Sequence, residues 1–176
     1  LRTQINRTIV YEKFPQVDGS WYQKGTGIGS NQGPGDDNEY DWQHIRNIRS
    51  DLLNYTYLSI DEFYDGSHGG GDASGDPTDT MVTTALNNGR GIINYCGHGS
   101  STSWGTTYFN NNDINTLINE NMLPFIFSVA CYNGAFTQGT CFAESWLRAQ
   151  HNAVPTGAIA AFMSSKSQAW NPPMEA

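Results

Sequence analysis

Three apolar runs in the C-terminal half of the chain have the length and composition of buried strands. They cover residues 91–96, 124–131 and 156–165, and segments with helical spacing separate them at 113–120 and 140–150. Continuous apolar strands that alternate with helices are typical of a parallel sheet covered by helices on both faces. The pattern therefore predicts an α/β fold with three α/β/α layers and a mostly parallel sheet.

The N-terminal half alternates between helix and strand patterns in the same way. Residues 1–14 are predicted to form a helix, because apolar residues recur at helical spacing and a proline follows. Leu1, Ile5 and Ile9 lie on one face of this helix. The next segments predict a short strand before a glycine-rich loop, a helix, a second strand and a further helix, over residues 21–35, 36–55, 56–64 and 77–89.

The segment 65–77, "DGSHGGGDASGDP", is too rich in glycine for regular structure and is predicted to be a mobile surface loop. Asp65, Asp72, Asp76 and Asp79 lie in or beside it. Calcium as a structural ion is one interpretation of these carboxylates, although their spacing does not match an EF-hand loop. A solvated loop without a bound ion is the favoured interpretation.

Composition narrows the classes of partner. The chain has 176 residues and a formal net charge of −8, which suits one domain and argues against a nucleic-acid partner. No window approaches the roughly 18 apolar residues of a membrane span. Three cysteines cannot form a complete disulfide framework. Residues 1–176 are expected to be a single domain or subdomain, a piece of a larger secreted protein.

Two side chains with reactive chemistry follow apolar strands. His98 comes directly after the strand at 91–96, and Cys131 ends the next apolar run. Carboxyl ends of neighbouring parallel strands meet at one edge of a sheet, so both side chains are expected there. A thiol near an imidazole can ionise at neutral pH and act as a nucleophile. The alternatives are a buried structural cysteine and a structural histidine in a glycine-rich turn.

The order of these blocks resembles the caspase–gingipain clan of cysteine peptidases, and specifically the gingipain family. The blocks that carry the resemblance are "NYCGHGSSTSWGTTYF", "LPFIFSVACYNGAF", "CFAESWLRAQ", "PTGAIAAFMSSKSQAWNPPM" and the opening "LRTQINRTIVYE". The resemblance is close from 89 to 174 and patchy between about 15 and 75. It implies a caspase-like fold and a catalytic subdomain.

By this resemblance, Cys131 is the nucleophile and His98 is the general base and acid. The backbone N–H groups of Gly99 and Cys131 form the oxyanion hole, and glycine lets a substrate carbonyl approach the backbone closely. The family also has a carboxylate that orients the histidine. Here Gln32 or Ser30 occupies that position, so Gln32 is the expected third catalytic member. Three acidic residues of the same loop are alternatives: Asp36, Asp37 and Glu39.

The resemblance also implies a pocket for a basic substrate side chain. Asp41 matches the carboxylate that binds arginine in arginine-specific gingipains, and a carboxylate suits a guanidinium or an ammonium group. The alternative is an acidic residue at a helix N-terminus without a binding role. Other residues expected to bind substrate are Cys96, Ser100, Val129, Gln168, Trp170 and Met174.

Three functions therefore remain open. The first is an endopeptidase that cleaves after Arg or Lys through a Cys-His dyad. The second is a gingipain-like transpeptidase or sorting enzyme, which passes the acyl group to an amine. The third is a degenerate, non-catalytic relative that acts as a binding module. The resemblance implies a bacterial protein that is secreted or on the cell surface. Its expected partners are peptide substrates and a preceding subdomain of the same protein. No cofactor is required for the chemistry, and a Cys/His metal site is disfavoured because no metal-binding spacing occurs.

Overall fold

The computed structural model describes residues 2–17, 19–137 and 139–168. Five α-helices and seven strands lie in this part of the chain. The helices are α1 (Arg2–Lys13), α2 (Asp41–Tyr55), α3 (Asp79–Asn87), α4 (Asn111–Asn115) and α5 (Phe142–Arg148). The strands are β1 (Lys24–Gly29), β2 (Ser59–Tyr64), β3 (Ile92–Cys96), β4 (Phe125–Val129), β5 (Gln150–His151), β6 (Val154–Pro155) and β7 (Ala160–Met163).

The predicted parallel sheet is confirmed. Five strands pair in the order β2-β1-β3-β4-β7, and each of the four pairings is parallel. Strands β5 and β6 form a separate antiparallel pair. Helices connect the strands because parallel neighbours need crossover connections. All the strand ends that follow β1, β3 and β4 therefore lie at one edge of the main sheet.

The helices α4 and α5 and the loop after β3 cover one face of the sheet with the main apolar core. Trp104, Phe109, Phe142 and Trp146 are fully buried in it, and their rings pack at centroid separations of 5.1–6.4 Å. Such aromatic clusters bury a large apolar area per residue. This face fixes the position of the strand ends that carry the candidate site.

Helix α2 covers the other face, but only over the first three strands of the order. A side chain at Gly27 would meet Ile45 of α2, so Gly27 faces this helix. The same cross-sheet row continues to Phe127 on β4 and Phe162 on β7, which are 42% and 60% exposed. The α2 layer is thus narrower than the sheet that it covers.

Helix α1 forms as predicted, and its buried side chain is that of an arginine. Ile5 and Ile9 are 50% and 45% exposed, whereas Arg7 is buried. The Arg7 guanidinium donates to the carbonyls of Trp146, Ala149 and Ala158, and burial lowers its pKa to about 10. Carbonyls at the end of α5 attract a cation, so a charged side chain anchors α1 there.

The loop 65–77 is tied to the fold by its carboxylates. Asp72 accepts the backbone N–H groups of Tyr64 and His68, and Asp76 accepts that of Gly66. Arg46 of α2 donates to the carbonyls of His68 and Gly69. Within the described ranges, no group of three metal-binding side chains occurs.

Helices 2–13 and 41–55 are the longest of the fold. Neither they nor the shorter helices of the described segments are long and apolar enough to cross a membrane.

Candidate active site

The strand register brings His98 and Cys131 to the same edge of the sheet. Cys96 of β3 pairs with Val129 of β4, and the Gly97 N–H extends the ladder to the Val129 carbonyl at 3.2 Å. His98 and Cys131 each come two residues after this pair. His98 is exposed and Cys131 is half-buried with a free thiol, so both are accessible to a substrate.

The glycines on either side of His98 are required by close packing. A Cβ atom at Gly99 would lie 2.8 Å from the Ala130 Cβ and 3.0 Å from the Cys131 carbonyl oxygen. A Cβ atom at Gly97 would lie 2.9 Å from the Tyr95 hydroxyl. The turn that carries His98 therefore approaches the Cys131 backbone more closely than any other residue type allows.

Buried Tyr95 holds the backbone of the His98 turn. Its hydroxyl donates to the His98 carbonyl at 2.5 Å and accepts the N–H groups of Gly105 and Thr106 at 3.2 Å. The Gly105 N–H also donates to the His98 carbonyl at 2.7 Å. Burial raises the Tyr95 pKa to about 12, so the hydroxyl remains a donor at neutral pH. The position of His98 is thereby fixed from the backbone side.

Asn133 joins the two loops of the site, and the sequence analysis did not identify it. This residue is fully buried two positions after Cys131. Its side-chain amide donates to the carbonyls of Ser100 and Ser103 at 2.7 and 3.0 Å, and its oxygen accepts from Ser128 at 2.8 Å. A buried amide with three bonds fixes the spacing between the loops. The pattern "ACYN" gave no signal for this, because the partners are distant backbone carbonyls.

The segment after β7 lies against Cys131. The Gln168 N–H donates to the Cys131 sulfur at 3.4 Å, and the Ser167 hydroxyl lies 3.7 Å from it. The Gln168 side-chain oxygen has no partner among the described residues. Tyr132, directly after the cysteine, has a φ of 61°. A left-handed conformation at a non-glycine residue is uncommon and occurs often at functional turns.

Asp41 is buried at the start of α2. Its carboxylate accepts a 2.5 Å hydrogen bond from the Ser30 hydroxyl, and the side chain is 1% exposed. Burial raises the pKa of this carboxyl, while hydrogen bonds from Ser30 and Cys96 and the nearby charges of His98 and His44 lower it. A carboxylate in this setting attracts a cation strongly because little water screens it.

An apolar cluster adjoins Asp41 through Cys96. Cys96 packs with Ile45 and Tyr64, and Val129 contacts this cluster. Burial, the largest effect, and the neighbouring Asp41 charge raise the pKa of the Cys96 thiol, which therefore stays protonated. The expected pocket residues Cys96 and Val129 thus lie near Asp41. Trp170 and Met174 lie outside the described residues.

Ser100 lies on the same loop as His98. Its hydroxyl lies 2.8 Å from that of Ser103, and its carbonyl accepts from Asn133. Its side chain is therefore engaged within its own loop.

The expected third member, Gln32, is exposed at a cavity beside His98. This cavity of about 590 Å³ is also lined by Ser30, Asp65 and Asp76. The two aspartates come from the loop 65–77, to which the sequence analysis gave no role in catalysis. Of the alternatives, Glu39 is engaged with His44 and Asn47. Carboxylates thus reach the histidine side of the site from a different loop than expected.

The three cysteines are free, and Cys141 is the residue before α5. At that position its backbone N–H donates to the Glu144 side chain.

Comparison with known proteins agrees, over the whole chain, with the family that the sequence resembles. The sequence model described as peptidase family C25 matches residues 1–176. Gingipain R2 of Porphyromonas gingivalis is 41% identical over 99% of this chain and 23% of its own length. Gingipain R1 of the same organism is also 41% identical, over 17% of its length. The chain thus spans about a quarter or less of the curated relatives that it matches.

Solved structures agree with the observed fold. The complex of the pro- and mature domains of RgpB from Porphyromonas gingivalis superposes with a TM-score of 0.91 at 40% identity, over 99% of this chain and 40% of that chain. The structure described as the Arg-specific cysteine proteinase gingipain R superposes with a TM-score of 0.90, over 98% of this chain and 39% of that one. The caspase-like α/β fold is therefore confirmed.

Proposed function

Because the chain belongs to peptidase family C25, a family of cysteine-type peptidases, we propose that it is the catalytic subdomain of an endopeptidase that cleaves after Arg or Lys. The observation that carries the proposal is the buried Asp41 carboxylate beside the strand ends that hold His98 and Cys131. One solved relative is named an Arg-specific cysteine proteinase. A buried carboxylate supports the same preference here, because it recovers its lost hydration by binding a cation.

The chemistry follows from the two side chains at the sheet edge. His98 accepts the thiol proton of Cys131, and the sulfur attacks the scissile carbonyl carbon to form a tetrahedral oxyanion. The N–H groups of Gly99 and Cys131 donate to this oxyanion. His98 then gives the proton to the leaving amine, and the C–N bond breaks. Water attacks the resulting thioester, which releases the acid and restores the thiol.

For the orientation of His98 we retain Gln32 as the proposed third member. Its exposed side chain lines the cavity beside His98 together with Asp65 and Asp76. An amide oxygen can accept a hydrogen bond from the imidazole but stabilises the imidazolium less than a carboxylate does. Gln32→Ala should lower kcat by about threefold to tenfold, a modest loss for a neutral hydrogen bond. An unchanged kcat would remove Gln32 from the mechanism.

A preceding subdomain is the proposed partner of the exposed α1 face. Large apolar side chains are exposed along this segment: Ile5, Ile9, Val10, Phe14 and Val17. Contiguous apolar surface of this kind marks a protein contact. Binding of such a subdomain to residues 1–176 can be measured by calorimetry. The double variant Ile5→Glu, Ile9→Glu should abolish this binding. We further propose that the protein is secreted or on the surface of a bacterial cell.

No metal is needed in this scheme, and a calcium ion would act on stability alone. The chelator EDTA should therefore leave the rate constant of the chemical step unchanged. A loss of kcat at unchanged thermal stability would contradict the scheme.

The test uses fluorogenic peptide amides with Arg, Lys, Leu or Glu before the scissile bond. Residues 1–176 are assayed alone and together with the proposed preceding subdomain. Release of the fluorophore after Arg and Lys, absent in Cys131→Ala, supports the proposal. Addition of an amine acceptor separates hydrolysis from transpeptidation, because only the latter forms a new amide. If neither residues 1–176 alone nor the form with the preceding subdomain turns over any of these substrates, the non-catalytic binding module is favoured.

A further inference from the structure

The hydroxyl of Ser30 is committed to the specificity carboxylate. Ser30 follows β1 directly and is 3% exposed. Its hydroxyl donates to Asp41 Oδ2 at 2.5 Å and accepts the Gln32 N–H at 3.1 Å. The proton of this hydroxyl therefore points to Asp41, because its acceptor side is occupied by the Gln32 N–H.

The backbone around Ser30 fixes where this hydroxyl lies. The Ser30 N–H donates to the Cys96 carbonyl at 3.0 Å, and the Ser30 carbonyl accepts the Trp42 N–H at 3.1 Å. The Asp41 N–H donates to the Gln32 carbonyl at 3.0 Å. These bonds close the loop from β1 to α2 at its base. The contact between Ser30 and Asp41 is thus part of a rigid junction.

A cation-binding carboxylate must meet two demands at this place. It must stay ionised although burial raises its pKa, and it must point towards the substrate. The charges of His98 and His44 favour the ionised form of Asp41. The Cys96 thiol favours the same form by donating a hydrogen bond to the carboxylate. The Asp65 carboxyl on the neighbouring loop is a like charge. Ser30 is the donor with the largest favourable effect in this set.

We propose that Ser30 is a positioning residue for substrate specificity, whose hydroxyl fixes one oxygen of the Asp41 carboxylate and so sets the orientation in which this carboxylate meets the substrate cation. The inference rests on the proposed function, since it deepens the role of Asp41. It also gives Ser30 a different task from the one that the sequence resemblance implies for this position. Ser30 supports recognition of the basic side chain, and the His98 imidazole is supported from elsewhere.

The test compares Ser30→Ala and Ser30→Thr with the unchanged protein on an Arg-peptide amide. Ser30→Ala should raise KM about tenfold, because it removes a hydrogen bond to the charged group that binds the substrate. It should change kcat less than about twofold, because this bond does not act on the reacting atoms. The acid limb of the kcat/KM profile should move to higher pH, since the ionised carboxylate loses a donor. Ser30→Thr keeps the hydroxyl and should restore both values.

Binding of benzamidinium to the Cys131→Ala variant gives a readout that does not depend on turnover. Ser30→Ala should weaken this binding by the same factor as it raises KM, while Ser145→Ala, a buried serine on α5, should not. If Asp41→Asn abolishes benzamidinium binding and Ser30→Ala leaves it unchanged, the inference on Ser30 is overturned and the proposed function stands. If Asp41→Asn and the unchanged protein bind benzamidinium equally, the pocket itself is refuted. A fall in kcat with no change in KM would instead assign Ser30 to the histidine side.

Discussion

The two halves of the candidate site are held in different ways. On the specificity side, Asp41 is buried, and Ser30 and Cys96 both donate to its carboxylate. On the chemical side, His98 is exposed and Cys131 is half-buried, and the contacts to the sulfur are 3.4–4.0 Å long. There the structure fixes the backbone through Tyr95 and Asn133 and leaves the side chains accessible.

This difference agrees with the task that we propose for each half. A carboxylate that recognises a cation gains from being fixed in advance, because no reorganisation is needed when the substrate arrives. A nucleophile and a general base must be reached by substrate and must transfer protons at several positions. Precise backbone with accessible side chains suits the second task. Changes on the chemical side should therefore affect kcat, and changes on the specificity side should affect KM and the choice of substrate.

The largest effect is expected from Cys131→Ala. Without the thiol no acyl-enzyme can form, so kcat should fall by about 10⁴-fold or more. Binding of benzamidinium should be unchanged, because the carboxylate half is intact. Steady-state kinetics and calorimetry on the same preparation check both values. Residual turnover above about one per cent would show that another group is the nucleophile.

Asp41→Asn should lower kcat/KM for Arg and Lys substrates by about a hundredfold or more, since it removes the charge partner of a desolvated cation. Substrates with a neutral residue before the scissile bond should lose far less. A panel of amides that differ only at this residue measures the ratio. Equal losses across the panel would mean that Asp41 serves folding and not recognition.

Asn133→Ala should lower kcat by about tenfold to a hundredfold, because the His98 loop is no longer tied to the Cys131 turn and small displacements are costly. The free energy of unfolding should fall by about 1–3 kcal/mol, since the three hydrogen bonds of a buried amide are lost. The control is Ser145→Ala, which removes a buried hydroxyl on α5. A stable Asn133→Ala variant with full kcat would show that the loops hold their spacing without it.

The smallest expected effect is on the pH dependence of stability. The pKa of folded Asp41 is raised above its ordinary value of 3.8 by burial. The folded state therefore binds the proton more tightly, and this group's contribution to stability is lost as pH rises from the unfolded pKa through the folded one. The Asp41→Asn variant lacks this carboxyl. As pH rises through the weakly acidic range, its free energy of unfolding should therefore fall less than that of the unchanged protein. Urea unfolding at several pH values measures the two slopes.

The main features of the fold were predictable from pattern. The strands at 92–96 and 125–129 lie within predicted apolar runs. Because these runs alternate with helical segments, they indicate buried strands of a parallel sheet. The α1 face was not predictable, because Arg7 reads as a surface residue until the carbonyls of α5 and the following loop surround it. Hydrophobic periodicity identifies a helix, but it does not reveal a buried polar anchor.

The candidate site was predictable where it depends on strand ends and not where it depends on long-range hydrogen bonds. His98 and Cys131 follow from the rule that parallel strands end at one edge. The bonds from Asn133 to the 100–103 loop and from Ser30 to Asp41 depend on how separate loops meet. Likewise, Asp65 and Asp76 reach the cavity beside His98 only through the path of the 65–77 loop.

The most direct measurement of the central claim is covalent labelling with an arginyl chloromethyl ketone, followed by mass spectrometry of the digested protein. The account predicts one label, on Cys131, that forms much faster than with the leucyl analogue. Asp41→Asn should remove this preference, and His98→Ala should slow both reagents. A label on Cys96 or Cys141, or equal rates for the two reagents in the unchanged protein, would contradict a basic-specific nucleophile at this site.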